Sequence, residues 1–415
     1  MSDLFETASA AERRVATLLL DRLSATGPIT RADLNEAMVD GFGGTDAEGL
    51  WTQRDSFELL EHALAHHLQF RPYPLCSLAD VNKACDLLDR LPTQTVRSEE
   101  QIEWQQFSTP VDLAAVAALL ANVQRDDVIL EPSAGNGLLV AHCRDFAALQ
   151  LNEYAPVRRA RLAHVFPDAL VTGHDAATIN SALAHAPRPS LILMNPPFSR
   201  SVGRGPDAHA AVRHLQAALA RMQPGGRLVA IMPDWFGPNA RMGDLFETIL
   251  RDVSIRTSVR LEKCYLKHGT AIAVRLFVID KVPGDVIPAT IQRVTVRELI
   301  GALTIHERGV PGAVPAAAPK RSASPSLFRA VKSSRAQPRP GFMAVRNTVL
   351  PVGYTSLDAP AALLEQVGVY ACLVNIFLMV LYAHRTSQQT RGPSAMCMVQ
   401  ARRNGSIDLA DRCLP

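Results

Sequence analysis

Between residues 100 and 285 short apolar runs alternate with stretches of helical periodicity, and few folds accommodate that rhythm. Runs this short, bounded by turn residues, suit strands buried on both faces. The helical stretches between them return the chain so that each strand starts in the same direction. Candidate strands lie at 128–130, 148–151, 169–172, 191–194, 227–232 and 271–279. A helix over 111–122 precedes the first, and Gly225-Gly226 turns the chain into the fifth. An α/β fold is expected, with a mainly parallel sheet and helices on both faces.

Residues 1–100 form a helical N-terminal region by the same reasoning. Apolar residues recur at helical spacing over 10–23, with Val15, Leu18, Leu19 and Leu23 on one face. They recur over 51–70, with Phe57, Leu60, Ala63 and Leu64 as the stripe, and a third helix over 78–91 ends before Pro92. His62, His66 and His67 have no carboxylate at ligand spacing, so they are expected at the surface and its boundary, with no metal bound. No chemistry is expected of this region. Residues 101–285 make the second region. Past 285 the periodicity weakens. Residues 311–319 are rich in Pro, Ala and Gly, and 320–346 carry Lys320, Arg321, Arg329, Lys332, Arg335, Arg339 and Arg346 without one acid. Residues 286–350 therefore suit a flexible basic linker rich in Pro, Ala and Ser. Such a linker can gain from counterion release on phosphates, or can be a plain solvated tether. Residues 351–415 make a C-terminal tail. From Ala371 it mixes an apolar run with Arg391, Arg402 and Arg403, as a truncation or frameshift would produce.

Composition bears on the setting. A 415-residue chain with 47% apolar residues has ample core for two or three domains. Its 43 basic and 40 acidic residues leave +3, so any nucleic-acid surface must be local. Seven cysteines without a CxxC pair point to reduced thiols and away from a zinc ribbon. The longest apolar run, 371–383, falls short of the roughly 20 residues of a bilayer span. The N-terminus lacks the basic start and apolar core of a secretory signal. A soluble, cytoplasmic protein without a membrane partner is expected.

Four elements carry chemistry. The first is the loop Glu131-Pro132-Ser133-Ala134-Gly135-Asn136-Gly137 after the first strand. Its glycines let the backbone turn sharply and approach a ligand, and a helix beginning at Leu138 would point free N–H groups at the same place. The full dinucleotide fingerprint G-x-G-x-x-G is missing because position 140 is Val, which favours another adenosine cofactor. The second is Glu153 at the end of the next strand, placed to accept from a ribose diol or to sit at the surface. The third is Asp175, placed for an adenine amino group or as a helix N-cap before Ala176. The fourth is Asn195-Pro196-Pro197-Phe198 after the fourth strand. Its two prolines stiffen the turn, so that the Asn195 oxygen and a backbone carbonyl can hold an NH₂ group by its hydrogens. Phe198 can stack on a base, a contact worth roughly 1–3 kcal/mol.

With these residues in place, the chain resembles the Rossmann-like amino-methyltransferases, in particular the N6-adenine DNA methyltransferases. The glycine loop is similar to their E-P-S-A-G-x-G cofactor motif, and Asn195 to Phe198 to their (D/N)-P-P-(Y/F) catalytic motif. Gln106-Phe107-Ser108-Thr109-Pro110 resembles their F-x-T-P element, which cradles the methionine end of the cofactor. The resemblance covers about 100–285 and implies a seven-stranded sheet, S-adenosylmethionine as cofactor and DNA as partner. It further implies that Phe107, Thr109, Pro110, Glu131, Pro132, Gly135 and Gly137 hold the cofactor, Glu153 the ribose and Asp175 the adenine. Asn195, Pro196, Pro197 and Phe198 would handle the target amine of a base flipped out of the duplex. Arg200, Arg204 and His209 can then meet phosphate or stay solvated. The segment from Leu91 to Ser98 and on to Pro110 also looks like the methyltransferase part of bacterial strawberry-notch-like proteins, in which a helicase region follows. That likeness suggests a helicase or remodelling partner, although no G-x-x-x-x-G-K-[ST] loop occurs. Guanine N2 in ribosomal RNA, a glutamine amide in protein, or a non-catalytic module that binds cofactor or DNA remain as alternatives.

Overall fold

A computed structural model describes residues 9–70, 75–94, 108–198, 200–201, 205–207, 209–284 and 287–309. Ser9 caps α1 (Ala10–Ser24): its hydroxyl accepts from the Glu12 N–H at 3.1 Å, and the Glu12 carboxylate accepts from the Ser9 N–H at 2.8 Å. Thr30 and Asp33 repeat the arrangement on α2 (Arg31–Phe42). α3 (Gln53–Phe70) and α4 (Val81–Arg90) complete the N-terminal region. Val15, Leu19 and Leu23 are buried on α1, as are Phe57, Leu60, Ala63 and Leu64 on α3. Leu18 is exposed instead, because it sits a full 100° round the helix from Leu19.

Two expectations fail here. His62 and His67 are buried, not at the surface, because α3 packs against α1 and also against α6 (Pro156–Val165). The His62 ring lies 5.4 Å from that of His164 on α6, and burial lowers its pKa to about 3, so it is neutral. The N-terminal helices also form no lobe of their own. One hydrophobic cluster runs from Val15 through α5 (Val111–Ala121) to Leu303, within a single compact unit. α5 is buried all round and, Asp112 apart, apolar, as suits a helix sunk in a core.

The sheet is built from β1 (Val128–Glu131), β2 (Ala148–Asn152), β3 (Leu170–Thr172), β4 (Leu191–Met194), β7 (Arg227–Pro233), β8 (Ser254–Leu261), β9 (Val274–Asp280) and β10 (Ile291–Arg293). β5 (Arg200–Ser201) and β6 (Gly205–Pro206) form a separate ribbon. The sheet order is β10-β8-β9-β7-β4-β1-β2-β3. Neighbours from β3 to β7 run parallel, whereas β9 is antiparallel to both β7 and β8. Without β10 and the ribbon this is a doubly wound, Rossmann-like order with its switch point at β1 and β4, and with the last strand, β9, reversed between its neighbours. The remaining helices are α7 (Ile179–Ala182), α8 (Ala210–Arg221), α9 (Gly243–Ile249) and α10 (Val296–Leu299).

The sheet has eight strands rather than seven, because β10 pairs in parallel with β8. A linker beginning at 286 therefore does not hold for 287–309. Val296 and Leu299 are buried, Arg227 donates to the carbonyls of His306 at 2.8 Å and Glu307 at 3.0 Å, and Arg308 is ion-paired with buried Asp127. Residues 310–350 and the tail 351–415 lie outside the described residues.

No helix follows the glycine loop either. Residues 138–143 make successive turns, with Cys143 N–H on the Val140 carbonyl at 2.9 Å. Arg144 donates to the Ala141 carbonyl at 2.9 Å, an acceptor that a continuing helix would have used, and to the Gln69 carbonyl of α3 at 3.0 Å. Asp145, at φ 53°, then turns the chain toward β2. Among the described residues no helix is long and apolar enough to cross a membrane.

Candidate active site

β1 lies between β2 on one side and β4 on the other, so successive connections leave it in opposite directions. A crevice opens at such a switch point, outside the carboxyl ends of the strands. The glycine loop enters it from β1 and the Asn195 loop from β4.

The two glycines of the loop serve different ends. Gly135 has φ +56°, and a Cβ there would meet no atom within 4 Å. It leaves an open cradle. Gly137 has φ +85°, and its Cβ would fall 2.5 Å from Phe166 Cε2 and 2.9 Å from Leu162 Cδ2, so it admits close packing by the α6 segment. The Gly135 N–H donates to Glu153 Oε2 at 2.8 Å, and Glu153 Oε1 accepts from the Ala155 N–H at 2.8 Å. Glu153 is thus buried at the site, not a surface acid. Asn152 ties three segments together: Nδ2 donates to the carbonyls of Pro132 and His174, 2.9 Å each, and Oδ1 accepts from the His174 N–H at 2.8 Å. Its role was unexpected, although a polar residue closing an apolar strand signals it.

Glu131 is buried and its Oε2 has no hydrogen-bond partner among the described residues. Burial, and then the nearby Glu153, raise its pKa well above the usual carboxylate range. Asp175 is an N-cap, accepting from the Ala177 N–H at 2.9 Å, and also lies 4.0 Å from His214 Nε2 on α8. His214, a further residue not anticipated, reaches Ser133 of the glycine loop with Nδ1 at 3.5 Å. Burial lowers its pKa to about 4, leaving it neutral.

Asn195 is partly buried at the end of β4. Its Nδ2 donates to Thr109 Oγ1 at 3.0 Å and to the Tyr265 hydroxyl at 3.0 Å. Tyr265, in the loop between β8 and β9, was not expected here. It is fully buried, and burial holds its pKa well above the usual value, so the hydroxyl keeps its proton. Pro110 starts α5, its carbonyl accepting from the Ala114 N–H at 2.9 Å. Pro196 is buried and Pro197 partly so. Phe198 departs from expectation: its side chain is 5% exposed and packs in the hydrophobic core, so its face is not presented to a base. The His209 ring stands edge-on to Trp235 at 6.5 Å. Phe107, Arg204 and the side chain of Arg200 lie outside the described residues.

The N-terminal helices reach the glycine loop. Asn136 Nδ2 donates to Glu58 Oε2 and to Glu61 Oε2 of α3, 2.9 Å each. Glu58 in turn accepts from Arg158 Nε at 3.0 Å and from Arg161 at 3.2 Å, both on α6. Among the described residues no group of three or more His, Cys, Asp or Glu is placed to hold a metal ion.

No protein-family model matches the chain, and no curated protein matches it. Among solved structures it is similar to a modification subunit provisionally assigned to a type I restriction enzyme of Vibrio vulnificus, at 15% identity and TM-score 0.38, covering 61% of this chain and 58% of that one. A protein of Pyrococcus horikoshii provisionally assigned as an RNA methyltransferase matches at 18% identity and TM-score 0.38, over 49% of this chain and 99% of that one. The type I restriction enzyme EcoKI M protein matches at 16% identity and TM-score 0.34, over 67% and 68%. The chain thus spans just over half the length of the Vibrio subunit. At such identities and scores the fold stands on the strand order, and the site on its own geometry.

Proposed function

We propose that the chain methylates the exocyclic amino group of a nucleic-acid base, adenine N6 in DNA, with S-adenosylmethionine as cofactor. The orientation of Asn195 carries this reading. With its Nδ2 protons turned to Thr109 and Tyr265, acceptance falls to Oδ1. An acceptor there, with the adjoining Pro196 carbonyl, suits an NH₂ group, each taking one hydrogen and so directing the nitrogen lone pair. No strong base is required, since polarising and orienting the amine is enough.

The residues present fit the cofactor. Gly135 leaves a cradle that any Cβ would occupy, and Glu131 Oε2 is a buried acceptor in need of a donor. Each Glu153 oxygen accepts one backbone N–H and keeps capacity for a ribose hydroxyl. Asp175 serves the adenine amino group while capping its turn. Thr109, Pro110, Pro132 and Gly137 complete the cradle, and Phe107 is assigned to it by the resemblance alone. When bound, S-adenosylmethionine supplies an electrophilic methyl group. Asn195, Pro196 and Pro197 hold the amine, and the ring of Phe198 backs them from the core.

Transfer of a labelled methyl group onto DNA, RNA and protein tests the reading. Label on DNA adenine is expected. Label only on RNA or only on protein would move the amine to guanine N2 or glutamine, and cofactor binding without transfer to any of them would leave a binding module.

A further inference from the structure

α3 brings two carboxylates, one turn apart, against the glycine loop, and their surroundings drive them apart. Burial alone would raise the pKa of Glu58, but Arg158, Asn136 and Arg161 outweigh it and hold it down to about 2. Glu61, partly buried, accepts from the Ser108 hydroxyl and from Asn136 Nδ2. Burial, and then the charge of Glu58, push its pKa up to about 7 against the pull of Ser108, Arg158 and Asn136. One carboxylate therefore touches both limbs of the cradle proposed above. Asn136 stands between Gly135 and Gly137, and Ser108 precedes Thr109, which holds Asn195.

We infer that Glu61 is a positioning residue of the cofactor site, tying the Ser108–Thr109 limb to the glycine loop. The inference rests on the cofactor reading of that site. An ionised Glu61 accepts from both partners. Both bonds end on Oε2, so protonation on Oε1 keeps them but removes the charge that strengthens them, and the cradle loosens as pH falls through about 7. The charged and titratable groups around it are Glu58 on α3, Arg158 on α6, and Lys267 and His268 from the loop before β9. The last two line the same cleft as Glu61. Burial lowers the His268 pKa to about 4, so it adds no charge near neutrality. The device is absent from the sequence pattern, because α3 reaches the loop only through the tertiary fold.

Calorimetric titration of the full chain with S-adenosylhomocysteine tests it. Wild type should bind roughly tenfold more tightly at about pH 8 than at about pH 6, the scale of one charge-assisted hydrogen bond. Glu61→Gln should bind at the weaker level at both, with the fold retained by far-ultraviolet circular dichroism. Ser108→Ala, which cuts the same tie without touching a carboxylate, should also bind at the weaker level. Glu61→Gln with wild-type affinity and a wild-type pH step overturns the inference, and if that variant does not fold, an unchanged affinity in Ser108→Ala does the same. A wild type that binds no S-adenosylhomocysteine at either pH overturns the cofactor reading beneath it, a result separate from the first two.

Discussion

The glycine loop and the Asn195 loop face each other across the switch point, yet they are braced by different interactions. Asn136 on the glycine side is held by Glu58 and Glu61, and Glu58 by Arg158 and Arg161, all carried on α3 and α6. Asn195 on the other side is held by two neutral hydroxyls, Thr109 and Tyr265. Buried charge is intolerant of losing a partner and responds to pH. Neutral hydrogen bonds from stiff side chains fix direction and are blind to pH until a hydroxyl ionises. The half proposed to hold the cofactor is thus coupled to the N-terminal helices and to acidity. The half proposed to hold the amine is coupled directly to the β8–β9 loop, and to α3 and acidity only at one remove, through Ser108 and Thr109.

The largest break in this comparison is Asn195→Ala. It removes the acceptor from the amine side and leaves the charged brace intact. Turnover should fall by roughly 10²–10³, the scale of losing one preorganised polar group, while cofactor affinity stays within about threefold. Methyl-transfer rates alongside calorimetric binding check this. Equal losses in both would mean that the two loops are not separable.

How far this division was legible in the sequence differs between its parts. β1, β2, β4 and β7 were legible because each is largely buried and flanked by turn residues, β3 because a short apolar run stands between turns although it is exposed or half-buried, and β9 because its apolar run survives the antiparallel pairing; the β5–β6 ribbon was not legible. β8 was not. Its residues alternate between core and solvent, and the register slips between Ile255 and Thr257, which breaks the period of two. The positions of Gly135, Glu153 and Asp175 could be anticipated because each follows a strand end. Glu58, Glu61 and Tyr265 could not, since their relevance depends on which distant helix or loop packs over the crevice. Phe198 misled for the same reason: a ring beside a site and a ring in the core share one sequence.

A second, smaller effect separates the halves by pH. The folded-state pKa of Glu58 lies below the ordinary carboxylate value, so its contribution is present above about 4.5 and is lost as pH falls toward about 2. A shift of this size corresponds to about 3 kcal/mol. Urea unfolding between about pH 5 and pH 2.5 should show that loss in wild type. Glu58→Gln should be less stable at neutral pH, because Arg158 and Arg161 lose their buried counter-charge, and should lose less on acidification. Parallel curves for the two proteins would show that the brace is not ionic.

The smallest effect is the most specific to the amine side. Tyr265→Phe keeps the buried ring, and so the packing around it, but removes the acceptor for one Nδ2 proton of Asn195. A neutral hydrogen bond of this kind is worth about 1 kcal/mol, so the amide is less firmly turned with Oδ1 toward the crevice and turnover should drop about fivefold to tenfold. Cofactor affinity and thermal stability should hardly move, because neither Asn136 nor its carboxylates are touched. Thr109→Val removes the other acceptor at nearly constant volume and should cost a similar amount. If both hydroxyls act by aiming one amide, the double variant should cost less than the sum of the single losses once the amide is already free to turn. Strictly additive losses would mean that Thr109 and Tyr265 act independently, and that the direction of Asn195 is set by the proline-stiffened backbone that follows it.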